Sequence, residues 1–150
     1  MKGGSAMSTE KNKAALRRVY DEIFNKGKLS VVDEVIAANY ILHGVATIEV
    51  NGPEGFKQFV TMYRNAFPDL QATVVDMVAE GDKVAHSFTL RGTHKGALMG
   101  IAPTGKQVTL TGTTISRFAG GKEIEARMNA DVLGLYQQLG VIPPIGPSGK

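Results

Sequence analysis

The chain has 150 residues, no cysteine, 43% hydrophobic and 21% charged residues, and a formal net charge of +3. This length and composition are typical of one globular domain, and the missing cysteines exclude disulfides and thiolate zinc sites. Basic residues are scattered among acids, without the basic stripe and interleaved aromatics of a nucleic-acid-binding surface. No apolar run reaches the roughly 20 residues of a membrane span, and the N-terminus lacks a signal-peptide core. We therefore expect a cytoplasmic protein whose partners are neither nucleic acid nor membrane.

Three helices are predicted in the first half of the chain. The first begins near the cap Ser8 or Thr9 and ends before Gly27. Ser30 opens a short second helix, and Pro53 stands at the first position of a third helix that ends at Pro68. The first and third helices have an apolar stripe at helical spacing. The stripes are Leu16, Val19, Tyr20, Ile23 and Phe24, and Phe56, Phe59, Val60, Tyr63 and Phe67.

From residue 70 onward the pattern changes to that of strands. Turn residues at 80–82 and 119–122 predict two hairpins, which a long loop at 93–106 connects. The predicted strands cover residues 72–79, 83–92, 107–118 and 123–130, and residues 40–43 form a short extended segment.

The element order predicts an α+β fold in which three N-terminal helices pack on a strongly curved mixed or antiparallel sheet, followed by a short C-terminal helix. We expect residues 1–7 to be a disordered leader, residues 8–142 to form one domain, and residues 143–150 to form a Pro/Gly-rich tail. A curved sheet around helices leaves a cone with an apolar interior, which is a natural ligand site. Because the strands have apolar residues on both faces, the convex face is predicted to form a homodimer.

Two periodicities meet at Asp131. Residues 123–130 alternate as a strand, which places Arg127 and Asn129 on the face that carries Asp131. A helical pattern begins at Val132. Asp131 is therefore a candidate helix N-cap and also a candidate functional acid at the end of a strand.

Several motifs resemble the SnoaL-like polyketide cyclases, whose fold is the nuclear transport factor 2-like cone. The resemblance spans about residues 9–140. It implies a cofactor-independent cyclase, isomerase or lyase that acts on a polyketide-like or other hydrophobic cyclic carbonyl compound by aldol chemistry. Asp131 would be the acid/base, and His43 a second catalytic residue. The matching motifs are YILH at 40–43, GPEGF at 52–56, AFPDL at 66–70, AEGD at 79–82, RGTHKG at 91–96, GIAPTGK at 100–106 and ADVLGL at 130–135.

The resemblance also implies which residues bind a substrate. It places Asp131 in the cavity, and strand parity then places Arg127 and Asn129 beside it. The chain departs from its relatives at Arg127, where they often carry a Trp, and at Ala126, where they often carry an acid. A buried guanidinium there must pair with Asp131, which would weaken it as a base, with Glu125, or with an anionic ligand group. Further candidate contacts, each otherwise a core residue, are Tyr20, Phe24, Phe59, Met62, Tyr63 and Met99.

Two classes of function stay open. The first is the enzyme described above, and the second is a non-catalytic cone that binds a small hydrophobic or aromatic ligand or a protein partner. The histidine spacing does not support a metal site. His86 is expected on a sheet face or at an interface, and His94 in a structural role within the long loop.

Overall fold

The computed structural model describes residues 3–45 and 48–143, with side chains from residue 8 onward. Within these residues the helices follow the predicted order. Helix α1 continues into a π-helical turn, and a 3₁₀ turn leads into the single turn of α2. The bounds are α1 (Gly3–Arg18), the π-helical turn (Val19–Phe24), the 3₁₀ turn (Leu29–Val31), α2 (Val32–Val35), α3 (Gly52–Ala66) and α4 (Val132–Leu139).

Two helix boundaries differ from the sequence prediction. Helix α1 begins at Gly3, inside the segment predicted as a leader, whereas residues 1 and 2 lie outside the described residues. The second helix is shorter than predicted, because Ile36 already has extended backbone angles. The predicted tail lies outside the described residues from residue 144 onward.

The described residues form a mixed six-stranded sheet in the order β2-β1-β6-β5-β4-β3. Strand β1 runs parallel to β6, and the other neighbours are antiparallel. The predicted meander is confirmed as β3–β6, whereas the sequence indicated only the last half of β1 and missed β2. The strands are β1 (Ile36–His43), β2 (Val50–Asn51), β3 (Gln71–Glu80), β4 (Lys83–Thr93), β5 (Gln107–Ala119) and β6 (Lys122–Ala130). The α+β cone is thus the observed fold class.

Strand β6 contains a bulge that changes which side chains face the core. Phe118 pairs with Glu123, but its neighbour Arg117 pairs with Glu125, so Ile124 is an extra residue on β6. A bulge of this kind reverses the inside–outside alternation at one point of a strand. Glu123 and Ala126 consequently share the inner face, where they are 3% and 2% exposed.

The helices cover the inner face of the sheet with aromatic side chains. The ring of Phe56 meets Tyr40 of β1 at a centroid distance of 5.6 Å and Phe24 at 6.1 Å, in edge-to-face arrangements. Phe59 meets Tyr63 in the same way at 5.2 Å. Such pairs add to the hydrophobic gain from burying the rings, so this layer fixes α3 against the sheet. No helix among the described residues is long and apolar enough to cross a membrane.

The outer face of the sheet keeps an apolar strip. Val78 lies opposite Ala85, which lies opposite Ile115, so the three form one row across β3, β4 and β5. Val78 is 62% exposed and Ile115 is 49% exposed. Contiguous exposed apolar side chains of this kind are typical of protein interfaces.

We predict that this face pairs two copies of the chain. The unsubstituted protein should sediment as a dimer at micromolar concentration, and Ile115→Lys should sediment as a monomer because a charge would be buried in the interface. Circular dichroism should show that the variant keeps its fold. An unsubstituted protein that sediments as a monomer would contradict the prediction.

A candidate active site inside the cone

The cone contains an apolar cavity of about 50 Å³. This is smaller than the roughly 300–1,000 Å³ of ligand-filled small-molecule sites, so a bound ligand would have to displace side chains of the wall. Its wall is mostly aromatic and aliphatic, with a few polar groups. The lining residues are Leu16, Val19, Tyr20, Phe24, Tyr40, Leu42, Phe56, Phe59, Tyr63, His86, Phe88, Leu90, Leu110, Thr114, Ser116, Glu123, Ala126 and Met128.

Glu123 brings a carboxyl group into this apolar wall. It stands at the start of β6, beside Ile36 of β1 and opposite Phe118 of β5. Burial raises the pKa of Glu123 from 4.5 to about 7, and the neighbouring Ser116 hydroxyl offsets part of this rise. Burial favours the neutral acid because the charged form loses its hydration. Glu123 therefore exchanges a proton near neutral pH.

Tyr20 and His86 form a second polar pair in the wall. The Tyr20 hydroxyl lies 2.9 Å from Nε2 of His86, and the π-helical turn carries Tyr20 while β4 carries His86. Burial lowers the pKa of His86 to about 4, so the imidazole is neutral at pH 7. Burial, and then the charge of Glu123, raise the pKa of Tyr20 and of Tyr40 far above the usual range. Both phenols therefore keep their protons.

The neutral pair leaves one hydrogen-bond donor unused within the described part of the chain. If Tyr20 donates to Nε2, the proton of the imidazole is on Nδ1, which has no partner among these residues. If Nε2 donates to Tyr20, the phenol hydrogen is free instead. In either tautomer one N–H or O–H group of the pair is therefore left without a partner among these residues.

Asp131 does not lie in the cavity. Its carboxylate is exposed and accepts a hydrogen bond of 2.9 Å from the backbone N–H of Gly134 in the first turn of α4. This is N-cap geometry, one of the two interpretations that the sequence allowed. The prediction that Arg127, Asn129 and Asp131 line the cavity is wrong, because all three side chains are exposed and none is among the lining residues.

Arg127 and His43 meet at Glu125 on the outer face. Nε2 of His43 lies 3.0 Å from the Glu125 carboxylate, Arg127 lies 3.3 Å from it, and Arg117 lies 3.0 Å from its other oxygen. Arg117, followed by His43, lowers the pKa of Glu125. His43 and Asp131 therefore do not converge in one pocket, and Arg127 pairs with Glu125 rather than with Asp131.

Part of the set of residues predicted to contact a substrate lines the cavity. Tyr20, Phe24, Phe59 and Tyr63 line the cavity, whereas Met62 and Met99 pack against the core elsewhere. His94 is structural, as expected, because its Nδ1 accepts a hydrogen bond of 3.1 Å from the backbone N–H of Thr104. His86 is on a sheet face, but that face is the wall of the cavity.

Sequence reasoning missed Glu123, Tyr40, His86 and Ser116 as lining residues. Strict alternation along β6 assigns Glu123 to the face of Arg127, and only the bulge at Ile124 moves it inward. The sequence of β6 contains no glycine or turn residue that would predict this bulge. The described residues contain no group of three or more His, Asp or Glu side chains placed as metal ligands.

Comparison with known proteins agrees with this architecture. The fold matches a solved structure from Jannaschia sp. CCS1, assigned to the SnoaL-like polyketide cyclases, with a TM-score of 0.81 and 26% identity over 91% of this chain and 95% of that one. IdmH from Streptomyces antibioticus gives a TM-score of 0.73 and 32% identity, over 87% and 99% of the two chains. The family model for SnoaL-like polyketide cyclases matches residues 14–139, and the chain belongs to this family.

Relatives with named activities include two methyl ester cyclases from Streptomyces. The aklanonic acid methyl ester cyclase DnrD of Streptomyces peucetius is 32% identical over 122 residues, which cover 79% of this chain and 84% of that protein. The nogalonic acid methyl ester cyclase of Streptomyces nogalater is 31% identical over 123 residues, which cover 78% and 89%. The similarity therefore supports a cyclase role in general.

The raised pKa of Glu123 predicts a loss of stability as pH rises. The folded chain holds this proton more tightly than the unfolded chain does, so stability is full below about pH 4.5 and falls as pH approaches 7. Above pH 7 the cost is about 3 kcal/mol. We expect Glu123→Gln to remove this cost. Urea unfolding of both proteins at pH 5 and pH 8 measures it, and an equal pH dependence in both would contradict the burial effect.

The capping geometry predicts a graded response at Asp131. Replacement by Ala should lower the free energy of unfolding by about 1 kcal/mol, whereas Asn should retain it because its side chain also caps. We expect Asp131→Asn to leave catalysis unchanged, since the side chain is outside the cavity. Thermal unfolding and turnover assays test both statements, and a loss of turnover at full stability would restore Asp131 as the functional acid.

Proposed function

We propose that this protein is a cofactor-independent cyclase that closes a ring in the methyl ester of an aromatic polyketide. The observation that carries the proposal is an apolar, aromatic cavity that contains one buried, titratable carboxyl group. The relatives named for aklanonic and nogalonic acid methyl esters support the substrate class.

The wall of the cavity suits a flat, hydrophobic substrate. Rings from the π-helical turn, β1, β4 and α3 surround the space, and aromatic faces stack against planar ligands. An esterified substrate carries no carboxylate, which agrees with a wall that has no Lys or Arg among its described lining residues. The polar pair Tyr20–His86 supplies a donor for a carbonyl oxygen.

A non-catalytic ligand-binding cone is the second candidate. Ala126 favours it, because this buried position lines the cavity with a methyl group where the family resemblance implies an acid. The two candidates differ in one measurable outcome. A binding protein would retain the ester unchanged, whereas a cyclase would release an isomer of it.

The test is incubation with aklanonic acid methyl ester and with nogalonic acid methyl ester, followed by liquid chromatography and mass spectrometry. An intramolecular aldol addition forms a carbon–carbon bond without loss of atoms, so we expect a product of unchanged mass and altered retention. Binding without conversion would overturn the cyclase proposal in favour of the binding cone.

Filling the cavity should slow conversion. Ala126→Leu adds bulk to the wall between Glu123 and Met128, and we expect kcat/KM to fall at least tenfold because the substrate loses room. Ala119→Leu is the matched control, since Ala119 is exposed at the end of β5. Equal activity of the two variants would mean that the reaction takes place outside this cavity.

A further inference from the structure

We propose that Glu123 is the acid/base of this cavity, the group that removes a proton from the carbon between two carbonyls and returns a proton to the new hydroxyl. This inference rests on the proposed function, but proton transfer can be measured without ring closure. The geometry points to Glu123 because its carboxyl group is 3% exposed and lines the cavity.

Within the described residues, no other lining side chain fits this role. Glu123 is the single carboxyl group among them. His86 is a weak base, since burial lowers its pKa to about 4, and its Nε2 is occupied by Tyr20. The three lining tyrosines keep their protons at neutral pH, because burial raises their pKa values. Asp131 is exposed and caps α4, and Glu125 pairs with Arg117, so both lie outside the cavity lining.

The neighbours of Glu123 suit a group that cycles between charge states. Tyr20 and Tyr40 line the same cavity as the Glu123 carboxyl group. Tyr20 also bonds to His86, and that pair has the unused donor described above. Glu123, Tyr20 and His86 therefore border the same apolar cavity, so a base and a hydrogen-bonding pair lie around one space, as enolate formation requires.

The step balances without a co-reactant. The Glu123 carboxylate takes the proton of the carbon acid, and the electron pair of that C–H bond forms the enolate. The enolate carbon attacks a ketone of the same molecule, so a carbon–carbon bond forms and the carbonyl electron pair moves to oxygen. That alkoxide takes the proton from Glu123, which restores the carboxylate, and the substrate has become its isomer.

Deuterium exchange tests the proton transfer by itself. Ethyl benzoylacetate, an aromatic β-keto ester that cannot close a ring, is incubated with the protein in deuterated buffer, and NMR follows the loss of its methylene signal. We expect the unsubstituted protein to accelerate exchange over buffer and Glu123→Gln to lower that acceleration about 100-fold. The acceleration should rise with pH through an apparent pKa near 7.

Two further variants separate catalysis from folding. Asp131→Asn is the control and should exchange within twofold of the unsubstituted protein, since Asp131 lies outside the cavity. Adding Ala126→Asp to Glu123→Gln returns a carboxyl group to the same inner face of β6, and exchange should recover at least tenfold. A variant that had merely lost its fold would not be rescued in this way.

The outcomes distinguish the two proposals. Exchange that depends on Glu123, without conversion of the methyl esters, supports Glu123 and overturns the substrate class. Conversion of the esters at full rate by Glu123→Gln supports the cyclase and overturns the role of Glu123. An unsubstituted protein that exchanges no faster than buffer also overturns it.

Discussion

Strand β6 is hydrogen-bonded on both sides, to β5 and to β1, and its register determines the chemistry of the cavity. The bulge at Ile124 is the controlling feature. Because of this bulge, Glu123, the first acidic residue after the turn, faces the helices, while Glu125 faces outward. Without the extra residue, the alternation would carry Glu123 to the outer face, and the apolar wall would hold no carboxyl group.

Burial of Glu123 has a cost that the rest of the core must offset. A carboxyl group surrounded by rings loses its hydration, and because this loss is greater for the charged form, the protonated acid is favoured. The aromatic layer from α3, β1 and the π-helical turn supplies compensating hydrophobic burial. The same apolar surroundings that reduce stability keep the acid ready to exchange protons near neutral pH.

The two faces of the sheet shift the pKa of a glutamate in opposite directions. On the outer face, Glu125 is surrounded by Arg117, Arg127 and His43, which lower its pKa and hold it ionised. On the inner face, Glu123 has rings and neutral hydroxyls around it, and its pKa rises. Two glutamates separated by one residue therefore differ in protonation because of their surroundings, which the bulge assigns.

The local pattern by itself predicted the order of the helices and the four-stranded meander, and it gave the cap as one of two interpretations of Asp131, because period, turn residues and capping chemistry act over a few neighbouring residues. Together with this pattern, the family motifs predicted the α+β cone. Only the tertiary structure decided which acid lies in the cavity. Strict alternation along β6 would place Glu123 on the same face as Arg127 and Asn129, and the bulge moves it to the inner face. It also decided that Tyr20 meets His86, two residues 66 positions apart. Bulges and contacts between distant segments depend on how the strands pair, and no short stretch of sequence encodes that pairing.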